Sequence, residues 1–416
     1  MSSALILGML ALFIVAAIGL PVAYSIIVGV LVYLSTGGQD LAIAGEMMVQ
    51  RLFDGFLLLA VPLFIVSANI MNAGAISDRL LKFCIALVGR FRGGMGHVNV
   101  VASLIFSGMS GSAVADAAGV GKLIIDMMVK SGKYTRGYAA AITAATATIG
   151  PIIPPSIPMV MYALVSNASI GYLFLAGVVP GLMCAVLMAM NTFISHRRDF
   201  GKEDPVPMRK LPGITIQATP ALLMPVILLT AIYSGVTTPT EAAAIAAFYA
   251  LIVSIVIYRA MNVATLYQIF VESARSAASV GLVIGASMIL TYVVIQENIP
   301  QMISELFEGS AISPLAFLLL VNVMVLLLGC ILDATVIILV IIPLFIPTCN
   351  ALGIDLIHFG VLIVVNSMIG LITPPYGMLL FVINAVTGIQ LKEIIREVWP
   401  FLGIWIAAIL VMTLVP

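Results

Sequence analysis

"IGPIIPPSIP", residues 149–158, places four prolines in eight positions inside one of the most apolar stretches of the chain. Proline removes a backbone donor and clashes with the preceding turn, so this run breaks any helix it interrupts. A break in an apolar setting leaves amides and carbonyls that must find partners. The pattern returns as "IGLITPPY" from Ile369, 220 residues later.

The setting is a membrane. The 416 residues are 62% hydrophobic and 9% charged, with a mean hydropathy of +1.22, whereas a soluble domain carries roughly 25% charged residues. Apolar segments near the ~20 residues needed to cross a bilayer recur from end to end, as in a polytopic helical protein. The N-terminal "MSSALILGMLALFIVAAIGLPVAYSIIVGVLVYL" lacks a basic start and runs too long for a signal peptide, so it reads as membrane structure bent near Gly19 and Pro21. Cys84, Cys184, Cys330 and Cys349 lie far apart without CxxC spacing and read as small buried hydrophobes.

Charge distribution sets the orientation. "SHRRDFGKEDPVPMRK", Ser195 to Lys210, carries five basic residues and marks the cytoplasmic side; none occurs from Ser276 to Leu391. Arg79, Lys82, Arg90 and Arg92 flank an interfacial helix, and Lys130, Lys133 and Arg136 mark another turn, both expected on the cytoplasmic side. "QENIPQMISELFEGS", Gln296 to Ser310, holds Glu297, Glu305 and Glu308 with no basic residue and faces the other side.

The two proline runs belong to an internal repeat. The offset of 220 also pairs Pro180 with Pro400, and an offset of 221 pairs Gly108 with Gly329, Gly132 with Gly353 and Tyr138 with Phe359. Counting spans from the basic turns, segment 137–166 runs outward and segment 357–386 inward, which makes the duplication inverted. In such transporters broken helices meet near the midplane: freed carbonyls supply ligands for Na⁺, and half-helix N-termini face an anion. Ser156, Thr373 and Tyr376 stand at the mouths of the breaks. Each half also has a hairpin-like polar interruption, "SGMSGSAVAD" (Ser107 to Asp116) and "GCILDAT" (Gly329 to Thr335). Their glycines permit tight turns, their hydroxyls donate and accept, and Asp333 is an acid in deeply apolar surroundings. In "SGVTTPTEAAAIAAFYA" from Ser234, Thr238 or Thr240 caps a helix with Glu241 in its first turn, the alternative being that Glu241 contacts a partner subunit on the outer face.

"LLLAVPLFIVSANIMNAG", "FSGMSGSAVADAAGVG", "IGPIIPPSIP", "LFLAGVVPGL", "TPTEAAAIAAFYALIVSIVIYR", "LGCILDATVIIL", "GIDLIHFGVLIVVNSMIGLITPPYG" and "WPFLGIWIAAILVMTLVP" follow one another along nearly the full chain. In that order they resemble the large membrane (M, DctM-like) subunit of tripartite ATP-independent periplasmic (TRAP) transporters. The first block often carries Glu where this chain has Asn69, and the last proline pair is often followed by Val where this chain has Tyr376.

The resemblance implies an all-α polytopic membrane protein of the bacterial inner membrane: an inverted-topology repeat with two re-entrant hairpins and two interrupted helices, working as an elevator. It divides the chain into N-terminal scaffold helices and first arm (1–92), a first transport half (93–166), scaffold helices with the cytoplasmic loop 195–213 and second arm (167–310), a second transport half (311–386) and a C-terminal scaffold helix (387–416). It implies Na⁺-coupled import of an organic acid such as a C4-dicarboxylate, sialic acid or sugar acid. The implied partners are a small membrane (Q) subunit and a periplasmic binding protein, with no nucleic acid. The candidates for substrate and coupling are Ser110, Ser112, Asp116, Ser156, Asp333, Thr335 and Tyr376. Those for Na⁺ are Ser107, Gly108, Gly150, Pro155, Gly329, Asp333, Gly370, Thr373 and Gly377.

Competing functions find less support. His97, His196 and His358 lack HExxH or GxSxG context, and no GxxxxGK[ST] phosphate loop occurs, which argues against an intramembrane enzyme or an ATP-driven pump. An organic-anion channel, or a carrier working without a binding protein, is the alternative, because midplane breaks also line pores. No arginine lies at the tips or breaks, so a carboxylate must be met by hydroxyls, amides and helix ends, or by a more distant base such as Lys122.

Overall fold

Residues 2–36 form a hairpin of two helices, α1 (Ser3–Ala17) and α2 (Val22–Thr36), turning at the expected bend near Gly19 and Pro21. Gly19 turns the chain at φ +100 and Pro21 cannot continue a helix, so the direction reverses. Glycines let the pair close: a Cβ on Gly8 would lie 2.8 Å from the Gly29 carbonyl oxygen. This computed structural model describes residues 2–54, 56–72, 75–181, 183–203, 206–308 and 312–415. The expected thiol of Cys184, the Glu308 carboxylate and the arm's last residue, Ser310, lie outside the described side chains. Cys84, Cys330 and Cys349 are buried and free.

Helix α3 (Ala42–Asp54) leads to α4 (Ala60–Asn72) and α5 (Ala75–Val88), a pair bent by 71°. Then come α6 (Gly94–Ser110), the short α7 (Ala113–Asp116), α8 (Lys122–Lys130), α9 (Arg136–Ala147) and α10 (Ile157–Ser166). Helices α11 (Ile170–Gly181), α12 (Met183–Arg197), α13 (Leu211–Tyr233), α14 (Pro239–Ile252) and α15 (Val263–Gln296) are followed by α16 (Ile299–Glu308). The order closes with α17 (Pro314–Gly329), α18 (Ala334–Val336), α19 (Ile346–Ala351), α20 (Leu356–Gly370), α21 (Met378–Thr387) and α22 (Leu391–Leu414). Both ends of the basic segment expected as loop 195–213 are helical, because α12 continues to Arg197 and α13 starts at Leu211. Among the described residues there is no strand, and five helices or helix pairs are long and apolar enough to cross a bilayer; the bent pair would make a sixth.

The 220-residue offset seen in the sequence reappears in the helix boundaries. Helix α6 starts at 94 and α17 at 314; α9 starts at 136 and α20 at 356. Each short tip helix runs into a π-helical turn, over 117–121 and over 337–341. The proline pairs fall between α9 and α10 and between α20 and α21, and both are cis. Pro180 and Pro400 each lie inside a helix.

Two sets of helices emerge from the packing. Helices α1, α2 and α15 share one apolar cluster, while α4 lies against α14 and α15, and α13 against α5. In the other set α22 runs along α9 and α20, α12 lies on α6, and α11 on α20. Trp405 of α22 is buried and donates to the Ala145 carbonyl of α9 at 3.4 Å. Asn191 of α12 is fully buried; it accepts from the Tyr138 hydroxyl at 2.6 Å and donates to the Gly93 carbonyl at 3.1 Å. The polar segment after α12 is tied to the same set by the ion pairs Arg92–Asp199, Lys133–Glu203 and Arg198–Glu397.

Candidate functional site

Helix α6 ends because Gly111 takes the left-handed conformation at φ +57, which closes a C-cap bond to the Ser107 carbonyl. Ser112 then caps α7 by accepting from the Ala115 amide, so the chain turns tightly between two helices. A Cβ on Gly111 would lie 2.5 Å from the Pro155 carbonyl oxygen, so this tip rests directly on the first proline break. Beneath it, Asp116 is buried and accepts from the Ser110 hydroxyl at 2.5 Å through Oδ1. Its Oδ2 has no hydrogen-bond partner among the described residues, and a Cβ on Gly150 would stand 2.5 Å from it.

The second half repeats this meeting of tip and break. Asp333 caps α18 by accepting from the Thr335 amide at 2.9 Å. Gly329 and Gly370 are so close that a Cβ on Gly370 would lie 2.6 Å from Gly329 backbone carbon. Gly377, at φ +49, donates its amide to the Cys330 carbonyl at 3.2 Å and ties the second break to the second tip. Thr373 returns its hydroxyl to the Ile369 carbonyl at 2.7 Å.

Both tips open on one cavity of about 290 Å³. Ser110, Ser112, Asp333 and Thr335 all line it, together with the first residues of α10, Ile157 and Pro158. Other expected residues lie elsewhere. Ser156 is fully buried and uses its hydroxyl to cap α10, donating to the Pro151 carbonyl and accepting from the Met159 amide. Ser107 donates to the Leu104 carbonyl, and Gly108 packs on Pro225 of α13, away from the break. Tyr376 is 58% exposed and stacks on Phe381.

Two polar side chains of the cavity had gone unassigned: Asn69 of α4, which donates to Ser273 of α15 at 2.9 Å, and Ser276 of α15. For Asn69 a signal existed, an amide within the apolar run "LLLAVPLFIVSANIM".

Bilayer-length apolar helices, two matched helix breaks and a cavity where both tips meet define a multi-pass membrane transport protein. The family profile described as "Tripartite ATP-independent periplasmic transporter, DctM component" matches residues 9–416. The chain belongs to this family, the large permease proteins of TRAP transporters. It is 40% identical over 386 residues to the sialic acid TRAP transporter large permease protein SiaM of Vibrio cholerae, covering 92% of this chain and 90% of that one. It is 39% identical over 364 residues to the C4-dicarboxylate TRAP transporter large permease protein DctM of Pseudomonas aeruginosa, covering 87% and 85%. Among solved structures, the YdaH transporter of Alcanivorax borkumensis shares the fold, with a TM-score of 0.64 at 14% identity over 90% of this chain and 88% of that one.

Proposed function

We propose that this chain is the membrane permease of a Na⁺-coupled importer of an organic acid, acting in the bacterial inner membrane with a small membrane subunit and a periplasmic binding protein. The observation that carries this reading is the meeting of each tip with the break of its own half, Gly111 on Pro155 and Gly329 on Gly370. Irregular backbone at two related places offers carbonyl oxygens, the ligand type an alkali cation takes in broken-helix transporters. The unpartnered Oδ2 of Asp116 beside Gly150 adds an anionic oxygen on the first side, and Thr373 and Gly377 belong to the second. The substrate occupies the cavity between the tips, within reach of Ser110, Ser112, Asp333 and Thr335.

Transport is by elevator motion of an inverted repeat whose two tips are re-entrant. The packing supports a moving body of α6–α12 and α17–α22 against a scaffold of α1–α5 and α13–α16. This division transfers residues 170–197 and 391–414 from the scaffold, where the resemblance had put them, to the moving body, because Trp405 and Asn191 anchor them to α9 and α6.

The test is uptake by vesicles containing this chain, the small subunit and the binding protein. Expected is saturable uptake that needs an inward Na⁺ gradient and falls in Asp333→Asn and in Ser112→Ala, with insertion and folding intact. Flux that does not saturate and ignores the gradient would instead make the protein a channel. Saturable Na⁺-driven uptake by the chain alone would remove the partners from the mechanism.

A further inference from the structure

The cavity between the tips holds one acidic side chain, Asp333, and no lysine, arginine or histidine among the described residues that line it. Its hydrogen-bonding capacity is already partly committed. The Ser110 hydroxyl donates to Asp116, Ser112 accepts from the Ala115 amide, the Asn69 amide donates to Ser273, and Asp333 accepts from the Thr335 amide. The donors left to a ligand are the hydroxyls of Ser112, Ser276 and Thr335, the second N–H of Asn69, and the first-turn backbone amides of α7 and α18 at Ala113, Val114 and Ala334. All of them are neutral groups, and none is a cationic side chain. Much of the remaining wall is apolar: Ile65, Val114, Met161, Val280, Met368 and Leu371. At about 290 Å³ the cavity stands at the small end of the roughly 300–1,000 Å³ usual for ligand pockets.

Resting on the permease reading above, we propose that this cavity takes a compact monocarboxylate with a mostly apolar body, such as a branched 2-oxo or 2-hydroxy acid. Dicarboxylates and polyhydroxylated sugar acids fit it poorly. A second carboxylate would be desolvated beside Asp333 with no cationic side chain to receive it. A polyhydroxylated acid would press several hydroxyls against Val114, Met161 and Met368, where each one left unpaired weakens binding roughly tenfold. An alkyl body instead removes water from those side chains and uses the wall as it stands.

The experiment measures the permease without its binding protein, so that the partner's own selectivity does not enter. The purified complex of this chain with the small membrane subunit is placed in nanodiscs containing NaCl. Calorimetry and thermal melting are then followed with 4-methyl-2-oxopentanoate, succinate and N-acetylneuraminate. Expected is binding of the oxo acid at least about tenfold tighter than of the other two. Val280→Ser, which puts a hydroxyl into the half-buried wall without a change of charge, narrows that ratio about threefold or more. Succinate or N-acetylneuraminate binding as tightly as the oxo acid, or a ratio that Val280→Ser leaves unchanged, overturns the substrate class while leaving the permease reading standing. A complex that melts cooperatively yet responds to none of the acids overturns the substrate class, while the uptake assay with the binding protein decides the permease reading.

Discussion

Replacing Gly111 by Ala tests the junction of the first tip and the first break with a single methyl group. Two costs are separable. At φ +57 a Cβ meets the left-handed penalty, roughly 1–2 kcal/mol for a residue other than glycine. The methyl also lands 2.5 Å from the Pro155 carbonyl oxygen, where ordinary contact begins at 3.4 Å, so tip and break must separate by roughly 0.9 Å. Gly132 supplies the matched control: it has φ +68 and nothing within 4 Å of its would-be Cβ, so Gly132→Ala bears the backbone cost alone. Gly111→Ala should lose more stability than Gly132→Ala in thermal melts, the difference being the cost of the clash. Only Gly111→Ala should lose ion affinity, because oxygen ligands have to be held within about 0.2 Å of their working distances. In vesicles with Na⁺ varied against choline, its half-maximal Na⁺ concentration should rise at least about tenfold, ~1.4 kcal/mol. A Na⁺ dependence within about twofold of the parent chain, in a variant whose stability has fallen below that of Gly132→Ala, would refute the placing of an ion at this junction.

Gly370→Ala carries no positive-φ penalty, and its methyl would lie 2.6 Å from Gly329 backbone, so about 1–3 kcal/mol of overpacking and a loss of uptake are expected from melts and flux. Thr238→Ala removes the capping box that Thr238 makes with Glu241 at the start of α14 and should cost ~1 kcal/mol in a thermal melt, with uptake unchanged if capping is its whole role. Glu297, just past α15, is held below the usual carboxylate range by the Ser2 hydroxyl first and the Ser2 amide next. A lowered folded value means that its contribution is present at neutral pH and is lost as pH falls below about 4, so the exchange protection of α1 should fall there in the parent and not in Glu297→Gln.

The breaks and the tips were legible because proline and glycine act on their own backbone, so a pattern such as "PPSIP" or "SGMSG" carries its geometry with it. Which side of a helix a residue faces depends on neighbours that the pattern does not name. Gly108 and Ser110 are two residues apart, about 200° around a helix, so one packs on Pro225 while the other reaches the cavity. Asn69 and Ser276 reach it from α4 and α15, separated by about two hundred residues from each other and linked by no spacing rule. Ser156 and Tyr376 occupy equivalent places after their proline pairs, yet the serine is spent on capping α10 and the tyrosine projects outward ahead of the left-handed Gly377. The resemblance carried the family across the whole chain, but the seating of α12 and α22 against α6 and α9 came from the contacts of Asn191 and Trp405.

The two acids at the tips do not follow the duplication, and this separates their roles. At the tips the offset is 221, as for Gly108 and Gly329, so Asp116 falls on Ile337 and Asp333 on Ser112, which caps its tip helix as Asp333 does. The repeat therefore accounts for two tip-to-break junctions but not for a carboxylate at either. Asp116 lies below its tip, buried, with one oxygen toward Gly150 and the other on Ser110. Asp333 lies in the cavity wall. A carboxylate facing a helix break is placed to attract a cation, whereas one facing the substrate space is placed to select among anions. Asp116→Asn should then raise the Na⁺ requirement with substrate affinity little changed, and Asp333→Asn should shift the order of preferred acids more than the Na⁺ requirement. Measuring both parameters for both variants decides it: equal effects on ion and substrate in each would mean that the acids share one site and that the asymmetry of the tips has no functional division behind it.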